Sequence, residues 1–161
     1  MGVSLMMIFE HTAFAIERVS VDSSGGEAQG TSSYPSLSAD RRFVAFESEA
    51  SDLVPGDNNG QYDVFVHDRQ TGTTERVSVD SSYPSISADG RFISFESKAS
   101  NLVAGDNNNA PDIFIHDRQI GKTRRVSVNA NGTEVPTEGG RAPSISADGQ
   151  LVAFASIAGA L

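Results

Sequence analysis

Two stretches of this chain carry oxygen donors at the same spacing. Asp57, Asn59 and Asp63 form the first, and Asp106, Asn108 and Asp112 form the second. A carboxylate, an amide oxygen two residues on and a carboxylate four further on can wrap one hard cation. Calcium takes about 6–8 oxygen ligands, so backbone carbonyls such as those of Gln61 and Asn109, with water, would complete the shell. The pattern lacks the terminal glutamate of an EF-hand loop. Asp and Asn also make turns by capping local backbone N–H groups. Both readings stand: a calcium site at these six residues, or ordinary turns. No His or Cys joins either cluster, which disfavours a transition metal.

Other chemistry-bearing residues point elsewhere. His67 and His116 occupy equivalent positions of a repeated block, which favours a structural role, since catalytic groups seldom recur in every unit. His11 has no partner signal. Ser36, Ser38, Ser85, Ser87, Ser144 and Ser146 fall on the innermost expected strands. They either line a polar channel or supply the small side chains that a crowded axis needs. Asp68-Arg69 and Asp117-Arg118 read as local ion pairs of little energetic weight. Lys122, Arg124 and Arg125 form a basic cluster, read as a solvated strand. Phosphate loops, nucleophile elbows and zinc-protease motifs are absent from the sequence, and no catalytic residue is assigned.

The acidic block recurs at a fixed offset: Asp106 follows Asp57 by 49 residues, and Asp112-Ile113-Phe114-Ile115-His116-Asp117-Arg118 repeats Asp63 to Arg69. A repeat of that length signals stacked supersecondary units. Short runs rich in Val, Ile, Phe and Ser, punctuated by Gly and Pro, read as strands. Each unit has four: Tyr34–Ser38, Phe43–Glu47, Val64–Val66 and Arg76–Val79 in the first. The second has Tyr83–Ser87, Phe92–Glu96, Ile113–Ile115 and Arg125–Val128. Ala142–Ser146 and Leu151–Ala155 repeat the first pair, and Arg18–Val21 the last strand. Ile8 precedes Arg18 by the same ten residues that separate Val66 from Arg76, which makes Leu5–Phe9 a third strand. Asp89-Gly90 and Asp148-Gly149 mark tight turns. Asp40-Arg41 departs from them and predicts a different turn. Third strands apolar at consecutive positions predict sheets buried on both faces.

The tally is all-β, with three blades of four antiparallel strands. Blades fall at 33–80 and 82–128, and a composite blade combines 1–22 with 142–161. Propellers have about 4–8 blades. Two arrangements follow: a homodimer completing a six-bladed ring, or a fragment of a longer propeller. Val79 to Tyr83 is a much shorter inter-blade connection than Val21 to Tyr34, and the last unit lacks the acidic loop.

The stretch Pro84-Ser85-Ile86-Ser87-Ala88-Asp89-Gly90-Arg91-Phe92-Ile93-Ser94-Phe95-Glu96-Ser97, continued by Asn101 to Asp106, Asp112 to Asp117 and Arg125 to Val128, resembles the TolB-like propeller repeat, a WD40-like repeat family. The resemblance spans Arg18 to Phe154. It implies a binding scaffold, often exported in bacteria, which suggests a periplasmic or extracellular location.

The chain has 161 residues, no cysteine and a net charge of −9. The acidic balance argues against a nucleic-acid surface and against anionic lipid. No apolar run is long enough for a membrane span. Ala13-Phe14-Ala15 looks like a signal cleavage site, but Glu10, His11 and the lack of a basic start argue against a leader. The expectation is a non-catalytic scaffold binding protein or peptide. The alternatives are a carbohydrate-binding propeller, weakened by three Tyr and no Trp, or an accessory domain of a hydrolase.

Overall fold

A computed structural model describes residues 7–9, 16–22, 24–136 and 139–156. Twelve strands follow in chain order: β1 Met7–Phe9, β2 Ile16–Arg18, β3 Ser32–Leu37, β4 Phe43–Ser48, β5 Asp63–Asp68, β6 Thr73–Ser78, β7 Ser81–Ile86, β8 Phe92–Ser97, β9 Asp112–Asp117, β10 Lys122–Arg125, β11 Arg141–Ile145 and β12 Val152–Ala155. Two four-stranded antiparallel sheets, β3-β4-β5-β6 and β7-β8-β9-β10, are whole blades. β1-β2 and β11-β12 are separate two-stranded sheets. Most of the leader-like segment Met1–Ala15 lies outside the described residues, as do Leu5 and Met6.

Consecutive apolar residues on the middle strands bury both faces of a blade. Val44, Phe46 and Phe65 pack with Val19, Ala28 and Leu53 on one side of the first whole blade. Ala45, Val64 and Val66 turn to the other side and meet Ile86, Ile93, Phe95 and Phe114 of the next. Leu53 and Val54 tie one acidic loop to its blade, and Leu102 and Val103 tie the other. The fourth strands begin earlier than expected and end before Val79 and Val128, because the chain there leaves for the next blade.

The innermost strands β3, β7 and β11 carry a bulge at Tyr34-Pro35, Tyr83-Pro84 and Ala142-Pro143. Serine hydroxyls stitch these strands together: Ser36 Oγ accepts the Ile86 N–H, and Ser85 Oγ the Ile145 N–H, both at 3.1 Å. Ser38, Ser87 and Ser146 donate to Asp40, Asp89 and Asp148 and accept the N–H groups of Phe43, Phe92 and Leu151. These five serines are therefore structural ties.

The Asp40-Arg41 turn does not differ from the others. Arg41 has φ 62°, beside 72° for Gly90 and 71° for Gly149, and all three N–H groups bond back to the preceding serine carbonyl. An arginine here bears the steric cost of the left-handed region. Arg41→Gly is expected to stabilise the chain by about 1 kcal/mol, read as a higher urea midpoint at unchanged slope.

Candidate functional site

The two acidic loops form as the repeat predicts, and each already contains a cation. Arg76 Nη1 lies 3.1 Å from Asp57 Oδ1 and 3.0 Å from Asp63 Oδ2. Arg125 Nη1 lies 3.5 Å from Asp106, 3.2 Å from Asp112 and 2.7 Å from Glu134. Arg125 is thus buried among carboxylates, with 8% of its side chain exposed, and is not on a solvated strand. Arg124 stays exposed.

The remaining donors also aim inward. Asp63 accepts Asn59 Nδ2 at 3.0 Å and the Asp80 N–H at 2.8 Å. Asp112 accepts Asn108 Nδ2 at 3.2 Å and Ser127 Oγ at 2.6 Å. The amide oxygens of Asn59 and Asn108 accept the N–H groups of Gln61 and Ala110, which is turn geometry. Burial raises the pKa of Asp57 and of Asp106, and the neighbouring Asp63 and Asp112 charges add to it. Asp106, Asp112 and Glu134 bring three carboxylate oxygens within 4.8 Å of one another. Any metal there would have to displace the guanidinium. Glu134 escaped the sequence pattern because it comes from the connection after β10, where a bridge between Val128 and Glu134 folds it back.

His67 and His116 are structural. Their Nδ1 atoms pair with Thr74 and Thr123 hydroxyls at 2.9 Å, and burial lowers the pKa of each ring. Asp68 and Asp117 do not pair with the arginines that follow them. Asp68 takes Arg42 in two hydrogen bonds, which hold its pKa at about 2. Asp117 takes Arg91 likewise. Arg69 and Arg118 reach back to Glu17 and Glu75 on the outer strand of the preceding blade.

A second location was not legible in the sequence. A cavity of about 490 Å³ opens where the innermost strands begin and the second strands end. All three tyrosines of the chain line it: Tyr34, Tyr62 and Tyr83. Tyr34 and Tyr83 sit at the bulges with φ of 49° and 53°, and their rings meet edge to face at 4.6 Å. Backbone in that region costs about 1–3 kcal/mol and concentrates at ligand clamps. Glu47 fixes the pair, accepting Ser33 Oγ and the Tyr83 N–H at 3.0 Å each. Glu96 repeats the contact to the Ala142 N–H at 3.3 Å. Gln61, Asp80, Lys98 and Arg141 complete a polar rim of mixed charge. The Tyr-Pro pairs were the only sequence trace of this tyrosine pair.

Superposition on solved structures decides the fold. TolB from Acinetobacter baumannii matches 96% of this chain with a TM-score of 0.61 at 18% identity. The fold is that of the TolB-like β-propellers. An oligogalacturonate lyase solved in complex with manganese matches 95% of the chain with a TM-score of 0.58 at 15% identity. The tricorn protease matches 93% with a TM-score of 0.58 at 15% identity. The chain spans only 32%, 38% and 13% of those proteins in turn. No protein family and no curated protein matches the sequence. Among the described residues, no helix is long and apolar enough to cross a membrane.

Proposed function

We propose that this TolB-like chain is a non-catalytic scaffold that binds a segment of protein or peptide at the tyrosine-lined cavity. The convergence of Tyr34, Tyr62 and Tyr83 from separate positions onto one cavity carries this reading. Tyrosine offers a large, stiff contact area with a polar tip, which is why it anchors binding surfaces. The bulges, the Glu47 bond to the Tyr83 backbone and the contact between the two rings place Tyr34 and Tyr83 before any ligand arrives, which lowers the ordering cost of association. A peptide-display library panned against the chain is expected to yield binders. Tyr34→Ala with Tyr83→Ala is expected to weaken them by tenfold or more while leaving the melting temperature within a few degrees. Unchanged affinity in that double variant would move the binding surface elsewhere.

Carbohydrate is the second reading, because exposed tyrosine faces beside carboxylates and an arginine suit a sugar equally. A glycan array with hits that Tyr83→Ala abolishes, beside an empty peptide panning, would select it. A propeller appended to a hydrolase is the third reading. The resemblance to TolB-like repeats supports a periplasmic or extracellular location. Calcium ordering of the loops belongs to the same proposal, seated at Asp106, Asn108, Asp112 and Glu134, with Asp57, Asn59 and Asp63 as the matching set in the other loop. It requires Arg125 and Arg76 to withdraw, so its effect should grow when either is removed.

A further inference from the structure

The two flanks of the blade array are unlike, and what one lacks the other has. At one flank the outer pair β1-β2 lies against the first whole blade, held by Arg69 on Glu17 and by Val19 in the apolar layer. Nothing among the described residues covers that blade's innermost strand on the same side. Leu37 is 41% exposed, whereas its counterpart Ile86, covered by a preceding blade, is 7% exposed. At the other flank the inner pair β11-β12 covers the second whole blade, but among the described residues β12 pairs only with β11. Its burial alternates between half-buried and exposed, while the equivalent β4 and β8 are buried almost throughout. Phe43 is capped by Arg118 from the next blade, at 4.4 Å from ring to guanidinium. Its counterpart Phe92 instead lines an open apolar cavity of about 340 Å³ with Ile115 and Ile120.

We infer that a second copy of this chain completes the ring, its β1-β2 pair adding to β12 to make a four-stranded blade at each of two junctions. The register follows from the whole blades, where Ala45 faces Val66 and Ser94 faces Ile115. β1 pairs with β2 as β5 pairs with β6, Ile8 standing to Glu17 as Val66 stands to Glu75. Ala153 therefore faces Ile8 of the second copy, with Val152 opposite Phe9 and Phe154 opposite Met7.

One covariation says that the occupant is a copy rather than an unrelated strand pair. A Cβ on Gly90 would lie 2.2 Å from Phe43, and one on Gly149 would lie 2.3 Å from Phe92. Each blade thus sets a glycine against the preceding blade's phenylalanine. The third glycine position holds Arg41, and the third phenylalanine position holds Leu151, which is 72% exposed. In the closed ring these two meet: the larger residue on one side of the junction faces the smaller on the other. Leu37 at the same junction gains the cover that Ile86 has, and Ser144 gains a backbone N–H to accept, as Ser36 and Ser85 do.

Multi-angle light scattering on the wild-type chain tests the assembly, with a particle of twice 17.0 kDa expected. The chain has no cysteine, so Ile8→Cys with Ala153→Cys gives one thiol pair per junction. A short thiol cross-linker is expected to convert most of that variant to a covalent dimer on a reducing gel. Thr73→Cys with Ala153→Cys is expected to give none. A folded monomer of 17.0 kDa, a dimer that resists cross-linking at 8 and 153, or a wild-type chain that stays unfolded would each overturn the inference. None of these readouts involves the tyrosine cavity, so ligand binding can fail without touching this result.

Discussion

Arg125→Ala is expected to destabilise the chain by about 3–5 kcal/mol, the usual cost of stripping one partner from a buried ion pair. The guanidinium lies against Asp106, Asp112 and Glu134, and the first two carboxylates are nearly inaccessible to water. Its removal leaves three carboxylates within 4.8 Å of one another and nothing to balance them. Asp106 already has its pKa raised by burial, then by the charge of Asp112, so the variant should take up protons well above the ordinary carboxylate range. Its stability should therefore recover as pH falls, opposite in sign to Asp68, whose pKa of about 2 makes its contribution vanish on acidification. Urea denaturation at pH 7 and pH 5 reads the recovery of Arg125→Ala, and the Asp68 loss appears only from about pH 4 down to about pH 2. Arg76→Ala should lose less, because Arg76 is more exposed and touches two carboxylates rather than three. Millimolar calcium should raise the melting temperature of Arg125→Ala by several degrees and of the wild type by far less. Equal shifts in the two proteins would mean that the guanidinium does not occupy the cation's place. No shift in either would end the calcium proposal.

Gly90→Ala is expected to cost about 2–5 kcal/mol, combining the left-handed backbone with overpacking against a ring. The control is Gly72→Ala. Both glycines have nearly the same φ, 72° and 71°, but a Cβ on Gly72 meets nothing within 4 Å. The difference between the two variants isolates the blade-to-blade contact, and it should be about 1–3 kcal/mol. Adding Phe43→Leu to Gly90→Ala reproduces the type of pairing proposed for Arg41 and Leu151. A double-mutant cycle should then show favourable coupling of about 0.5–3 kcal/mol. Additive losses would mean that Phe43 moves aside freely and that the glycine–phenylalanine pairing is not a constraint between blades.

The sequence made legible the fold class and the four-strand pattern of the two whole blades. Those follow from local pattern repeated at a fixed offset: Val64 to Val66 and Ile113 to Ile115 are apolar at every position because both sheet faces are buried, and the period is independent of which groups touch. It also carried the acidic loops, but not what they hold. Asp57 and Asp63 are close to each other in the chain, whereas Arg76 reaches them from the fourth strand and Glu134 reaches Arg125 from the following connection. A charge-balanced cluster is a property of side chains that converge across strands, and a linear spacing of carboxylates looks the same with calcium or with arginine between them. The Asp40-Arg41 turn departs from its sequence expectation for a related reason. A glycine is the usual answer to a left-handed φ, but the serine carbonyl and Asp40 impose that turn on an arginine all the same. The tyrosine cavity was decided by tertiary structure alone. Tyr34 and Tyr83 lie 49 residues apart and Tyr62 between them, and only the stacking of neighbouring blades, with a bulge turning each inner strand, places the three rings around one opening.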